Sequence, residues 1–291
     1  MKSNALNLES PTAYQQWREQ KLADAASARA TTLISTVDHQ DSAAVEAIRQ
    51  QICKTGFALY QLHDVANTSK AWLIRFGQLF GLTRLDSNLC ADEDSVSSLQ
   101  VADETEHKRG YIPYSNRPLN WHTDGYYNES GQRIGAFILH CVQDAAEGGE
   151  NGLMDPELAY IRLRDENPAF IEALTHPEAM SIPPNIDNGR EVHGWIHGPV
   201  FAIDPTHGLH MRYTARQRNI RWRDDATTLE AVAFLQNLLD SGENDVVWRR
   251  LSPGQGVISN NALHCRKRFD NSPTQQRLYY RARYFDRVRR T

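Results

Sequence analysis

The apolar pattern of this chain changes period once, and that change limits the fold more than any other feature. Residues 11–27, 42–53 and 69–80 carry apolar side chains at helical spacing. In the second stretch Val45, Ile48 and Ile52 share a face, Ser42 stands where a cap is needed, and Gly56 stands where a helix stops. Phe57 to Leu62 then reads as a short strand. Further along, strand-length apolar runs recur: Ile134–Val142, Pro199–Ile203, Leu209–Tyr213, Val246–Leu251, Gly256–Ser259 and Leu278–Phe285. Helical stretches near 155–175 and 226–240 lie between them. Helices first and many short strands after predict a mainly β fold with helical decoration, a sandwich or a barrel. One domain spanning 1–291 is expected, with a helical N-terminal region of about 1–85 and a barrel core of about 95–286. The stretch 177–198, with Pro183, Pro184, Gly189 and Gly194, reads as a loop: a lid, or a surface connection.

A chain of 291 residues can bury a substantial core. No apolar run is long enough to span a bilayer, and the first residues lack the apolar stretch of a secretory signal. The four cysteines are scattered, which suits reduced thiols in a cytoplasm. A cytoplasmic protein without a membrane partner is therefore expected. The net charge of −4 conceals an asymmetry, −11 over residues 1–189 and +7 over the rest. Arginine supplies 26 of the 32 basic residues, the side chain suited to carboxylates and phosphates. Without a lysine-rich run or a binding module, nucleic acid is not expected as a partner.

The sharpest local feature is His122-Thr123-Asp124. In a strand, positions i and i+2 face the same way, so an imidazole and a carboxylate would project together. These are two ligands of the two-histidine, one-carboxylate facial arrangement that leaves open positions on non-haem Fe(II). His-x-Asp alone is weak, since eleven histidines make a third ligand easy to find. The distal segment strengthens it. Pro253-Gly254-Gln255 reads as a turn, Gly256–Ser259 as a strand and Asn260-Asn261 as a second turn, placing His264 at the start of another strand. Arg277 and Arg281 follow.

With these motifs the chain resembles the taurine dioxygenase/TfdA-like family of Fe(II)- and 2-oxoglutarate-dependent oxygenases. The resemblance rests on His122-Thr123-Asp124, on Gly254 through His264, on Arg277, and on Gly148-Gly149-Glu150-Asn151, and it covers roughly residues 45–286. The family commonly has threonine where Asn151 stands, and that threonine touches the cosubstrate. The Asn151 amide can still hydrogen-bond a carboxylate. The resemblance implies a double-stranded β-helix, a jelly-roll barrel. It implies Fe(II) on His122, Asp124 and His264, with 2-oxoglutarate and O2 as cosubstrates and succinate and CO2 as by-products. The product would be a hydroxylated small molecule, anionic and zwitterionic substrates included. Related halogenases carry a small residue at the carboxylate position, so Asp124 argues against halogenation.

Arg277 is the candidate for the distal carboxylate of 2-oxoglutarate, because a buried carboxylate needs a charged, two-pronged partner. Arg281 lies on the same strand face and contacts cosubstrate or substrate, or forms a salt bridge at the rim. Arg283 is expected to be exposed near the chain end. Tyr126, Tyr127, Asn128 and Asn120 flank the first motif and are candidates for the substrate wall. Arg212, Arg216, Arg218, Arg221 and Arg223 read as a solvated or subunit-facing run, and His193 and His197 as lid or surface residues. A homo-oligomer is common in the family. The alternative reading is a non-catalytic metal- or ligand-binding barrel, which an intact triad with Arg277 argues against. A response to 2-oxoglutarate separates the two.

Overall fold

Capping side chains set the helices close to where the apolar period places them. In a computed structural model, residues 5–30, 34–36, 41–63, 68–87, 91–103, 107–187, 190–204, 208–241 and 245–289 are described. The helices are α1 (Pro11–Ala30), α2 (Ser42–Thr55), α3 (Lys70–Gln78), α4 (Pro156–Glu166), α5 (Pro168–Thr175) and α6 (Ala226–Ser241). Asp41, not Ser42, caps α2: its carboxylate accepts from the Ala44 amide at 2.9 Å. Gly56 ends that helix in the left-handed region, with φ at 80°. The stretch 155–175 divides into α4 and α5 because Pro168 supplies no N–H and extended Asn167 caps the second helix through the Ala169 amide.

The described residues fall into two compact units. One comprises Met1–Ala23, Trp121–Arg133 and Met154–Val246; the other comprises Asp24–Asn120, Ile134–Leu153 and Val247–Thr291. The strands used below are β1 (Ile34–Thr36), β2 (Phe57–Leu62), β3 (Val96–Leu99), β4 (Leu119–His122), β5 (Ala136–Gln143), β6 (Asn151–Met154), β7 (Val247–Arg249), β8 (Gln255–Ser259), β9 (Leu263–Arg266) and β10 (Leu278–Tyr284).

The second unit is built on a six-stranded sheet of order β1-β2-β8-β5-β10-β3. Only the β1–β2 pair in it is parallel. One face carries Tyr60, Ile138, Ile258, Ala282 and Tyr284, packed with Ile48 and Ile52 of α2 and Trp72 and Phe76 of α3. The other carries Phe57, Leu59, Phe137, Leu139, Val257 and Tyr279, packed with Leu153 of β6 and with Leu251. With both faces covered, residues 136–141 are all buried, which is why the sequence reads there as a continuous apolar run. Burial of Phe137, Ile138 and Leu139 contributes about 1.5–3 kcal/mol apiece. A four-stranded sheet has the order β7-β6-β9-β4.

In the first unit, Lys21 of α1 is buried between Asp155 (2.6 Å) and Glu157 (2.7 Å). The expected loop of 177–198 is largely strand. Met180–Ile182 pairs with Ile196–Gly198 and with Arg221–Trp222, while Asn185–Asp187 pairs with Arg190–His193. Gly189 lies outside the described residues.

Candidate metal and cosubstrate site

The His-Thr-Asp motif lies at a strand end, not along a strand. β4 stops at His122, and a turn over residues 124–127 follows, with Gly125 at φ +68°. The carboxylate therefore stands at the first residue of the turn, just beyond the end of the strand. His122 Nε2 and Asp124 Oδ1 lie 3.9 Å apart, and both side chains are buried. The segment opposite clamps the motif. Thr123 donates its amide to Tyr213 O (3.0 Å) and accepts the Tyr213 amide on Oγ1 (3.1 Å). Ala215 N donates to Trp121 O at 2.8 Å.

His264 sits near the start of β9, as the sequence suggests, after a turn fixed by side chains. Asn261 has φ at 56° and donates through Nδ2 to Ile134 O at 2.9 Å. Asn260 accepts the Val288 amide (2.9 Å) and donates to Val288 O (3.0 Å). The His264 ring packs on Phe137, and its Nδ1 lies 3.0 Å from Ala262 O. A carbonyl can only accept, so Nδ1 carries the proton and Nε2 the lone pair, the tautomer a metal ligand requires. His122 and Asp124 thus offer one imidazole and one carboxylate from the motif, and His264 offers a second imidazole. Two imidazole nitrogens and a carboxylate oxygen fit a first-row divalent ion such as Fe(II).

Arg277 is 2% exposed. Its guanidinium lies 3.9 Å from the Tyr279 ring centroid and 5.0 Å from that of Phe269. Its one hydrogen bond to a carbonyl, Nη1 to Leu99 O, is long at 3.5 Å, and its buried Nε has no partner. Burial pushes its pKa below the ordinary arginine value. Among the described residues no carboxylate pairs with it. A buried cation in this state fits an anionic cosubstrate. Arg281 is also buried, and the pairing of Tyr279 with Cys141, Arg281 with Leu139 and Arg283 with Phe137 puts all three on one sheet face. Arg283 is not exposed as expected: it is buried in an ion pair with Asp86, because β10 runs through the sheet interior.

Asn151 is buried, and its Nδ2 reaches Gly149 O only at 3.5 Å. Tyr126 is buried edge-on to His122, with ring centroids 6.4 Å apart, whereas Tyr127 is 36% exposed. Asn128 donates its amide to Gln132 O at 2.9 Å, and Asn120 is exposed. His193 and His197 lie on the strands of 190–198, His197 exposed and stacked on Trp195.

Sequence reading missed Arg212. Far from joining a solvated run, it is buried and donates to the carbonyls of Tyr126 (2.7 Å), Met180 (2.8 Å) and Ile196 (3.2 Å). Its place between Met211 and Tyr213, two largely apolar side chains, is the signal the sequence offers. It also missed Arg266, two positions after His264. Arg266 Nη2 donates to Ser115 O (2.7 Å) and Arg117 O (2.6 Å).

Comparison with known proteins returns one consistent chemistry. The family profile described as taurine catabolism dioxygenase TauD, TfdA family matches residues 20–283. A uridine-5'-phosphate dioxygenase from a Streptomyces species is 26% identical over 200 residues, 66% of this chain and 69% of that protein. An asparagine oxygenase solved with Fe(II), 3-hydroxyasparagine and succinate aligns with a TM-score of 0.54 at 17% identity, covering 91% of this chain and 89% of its own. The non-haem iron oxygenase OrfP, solved with Fe, succinate and a dihydroxyarginine, aligns at 0.61 with 14% identity, covering 91% and 84%. At those identities the two structures speak for the fold.

Proposed function

The chain belongs to the taurine catabolism dioxygenase TauD, TfdA family, and from that premise we propose that His122, Asp124 and His264 hold Fe(II) and that Arg277 binds the distal carboxylate of 2-oxoglutarate. The chain is an enzyme, an Fe(II)- and 2-oxoglutarate-dependent dioxygenase. Iron held by these residues would supply, with 2-oxoglutarate and O2, the oxidising power, with succinate and CO2 as the by-products of 2-oxoglutarate. The protein supplies placement. The Ala262 carbonyl fixes the His264 tautomer, the Tyr213 backbone fixes the turn that carries Asp124, and Asn151 and Arg281 offer further donors to carboxylate oxygens. Asp124 fills the position a halide would need, which favours hydroxylation. Tyr126 and Tyr127 form part of the substrate wall, with Asn120 and Asn128 at its edge.

The two sheets packed through Leu153, Phe57 and Leu139 support a double-stranded β-helix, and we read residues 1–291 as one oxygenase domain. Among the described residues no helix is long and apolar enough to cross a membrane. A small anionic or zwitterionic substrate in the cytoplasm is the reading we favour over nucleic acid or a polymer. The Streptomyces relative acts on uridine-5'-phosphate, and the structural neighbours hold hydroxylated amino acids. A homo-oligomer is consistent with it.

The observation that carries this reading is the buried pair His122 Nε2 and Asp124 Oδ1, 3.9 Å apart, together with the His264 ring held with its proton on Nδ1 by the Ala262 carbonyl. Its test is anaerobic titration of the Fe(II)-loaded protein with 2-oxoglutarate, followed by the visible charge-transfer band of a chelated 2-oxo acid. The band is expected in the wild type and absent in His264→Ala. Its absence from well-folded, iron-loaded wild type would sink the assignment and leave a non-catalytic barrel. Succinate release against panels of nucleoside monophosphates and free amino acids then ranks the substrates.

A further inference from the structure

Four arginines of the segment 266–283, Arg266, Arg277, Arg281 and Arg283, are buried. Arg266 commits its Nη2 to backbone carbonyls, and Arg283 is paired with Asp86. Arg277 is held in another way. The Tyr279 ring lies against its guanidinium, and the Tyr279 hydroxyl is itself tied to Leu251 O at 3.0 Å. Phe269, 1% exposed, lies near it as well and also near Arg266, whose guanidinium carbon is 4.9 Å from the phenyl centroid. A π face attracts a guanidinium without consuming N–H donors, whereas a carboxylate or carbonyl takes them.

The sequence builds this contact on purpose-made backbone. Phe269 pairs with Gly148 across a two-residue ladder, and Gly149 N donates to Arg268 O at 3.0 Å. Gly148 and Gly149 have φ of +69° and +79°. A Cβ on Gly148 would sit 2.4 Å from Arg268 O, and one on Gly149 would sit 3.3 Å from Phe269 Cβ and 4.0 Å from Arg277 Nε. Only glycine allows so close an approach in that conformation. The Gly-Gly pair therefore sets how near the phenyl ring comes to Arg277.

We propose that Phe269, seated by Gly148 and Gly149, is a positioning residue for Arg277, keeping the guanidinium oriented and its N–H groups open for the cosubstrate's distal carboxylate. This rests on the cosubstrate role given to Arg277 above. The ring lies against Arg277 and Arg266, so its influence is directed at the carboxylate end of the cosubstrate.

The test compares two 2-oxo acids on the Fe(II)-loaded protein, read anaerobically by the same visible band. 2-Oxoglutarate has the distal carboxylate; pyruvate has the same chelating end without it. Phe269→Leu is expected to weaken 2-oxoglutarate binding about tenfold, the scale of a desolvated cation–π contact, while the pyruvate and Mn(II) dissociation constants stay at wild-type values. Phe269→Tyr keeps the ring and should bind both acids as the wild type does. Unchanged 2-oxoglutarate affinity in Phe269→Leu overturns the proposal, and so does equal weakening of both acids, which marks a general structural role. Should Phe269→Leu not fold, Phe269→Met carries the same comparison. Failure of the wild type to bind 2-oxoglutarate at all would sink the cosubstrate assignment itself, an outcome separate from a variant that matches the wild type.

Discussion

The histidine motif and the arginine segment are held by opposite means. Around Trp121–Gly125 and His264 the constraints are hydrogen bonds: the two between Thr123 and Tyr213, Nδ1 of His264 on Ala262 O, and the Asn260 and Asn261 side chains on backbone. Around Arg277 they are chiefly ring faces, Tyr279 and Phe269, with one long hydrogen bond from Nη1 to Leu99 O. The difference follows from what each end must present. A metal ligand must aim one lone pair, and hydrogen bonds to the rest of the residue do that well. An anion receptor must present N–H donors, and any protein acceptor nearby would occupy them. Aromatic faces restrain a guanidinium while leaving its edge free.

The harshest way to break this comparison is to remove a ligand. Asp124→Ala and His264→Ala should each lose turnover outright and lose Fe(II) binding by calorimetry, while the far-ultraviolet circular dichroism stays that of the wild type. Normal turnover in Asp124→Ala would refute the metal assignment. Arg277→Ala comes next. It leaves a buried carboxylate without its partner, which costs about 2–5 kcal/mol, so the KM for 2-oxoglutarate should rise roughly a hundredfold or more. Fe(II) affinity should not move. A fall in Fe(II) affinity equal to the rise in KM would mean that the two ends are not held independently.

Most of this arrangement is legible in the chain, and the exceptions have physical causes. His264 is found because a turn, an apolar strand and an Asn-Asn turn precede it in an order that only a strand-turn-strand satisfies. β5 is found because both its faces are buried. β3 is not, because Val96-Ser97-Ser98-Leu99 is short and half polar, and tertiary pairing with β10 overrides its composition. The strands of 180–198 are hidden by Pro183 and Pro184, which lie between strands and not within them. Arg212 and Arg283 are misread, and Arg266 is passed over, for a common reason. A sequence shows that arginine is charged; it does not show carbonyls or an aspartate from distant segments arriving to satisfy the charge in the interior. The strand reading of His-Thr-Asp holds as far as His122, and Gly125 turns the chain immediately after the motif.

A third histidine sharpens the contrast from the other face of β5. His140 is fully buried, stacked on Tyr60, with Nδ1 3.1 Å from the Tyr60 hydroxyl. Burial alone lowers its pKa from 6.5 to about 4. The folded form therefore resists protonation while the unfolded chain accepts a proton near the ordinary value. Stability is fully present above pH 6.5 and falls as the pH drops toward about 4, by on the order of 3 kcal/mol over the whole window. His140→Gln should flatten the stability curve between those limits, measured by urea unfolding at several pH values. An unchanged slope would show that other groups set the acid limit.

The mildest test separates the two ends at one hydroxyl. Thr123→Val keeps the shape of the side chain and removes the acceptor of the Tyr213 amide, leaving a buried N–H without that partner. Such an orphan costs about 1–3 kcal/mol, enough to lower the melting temperature by several degrees and to loosen the turn that carries Asp124. Fe(II) affinity should fall about tenfold, the usual reach of a group supporting a metal ligand. At saturating Fe(II) the 2-oxoglutarate dissociation constant should stay as in the wild type, because Tyr279 and Phe269 hold Arg277 without reference to this turn. A matching loss in 2-oxoglutarate affinity would mean that the hydrogen-bonded end and the aromatic end relax together, and the division of labour between them would have to be abandoned.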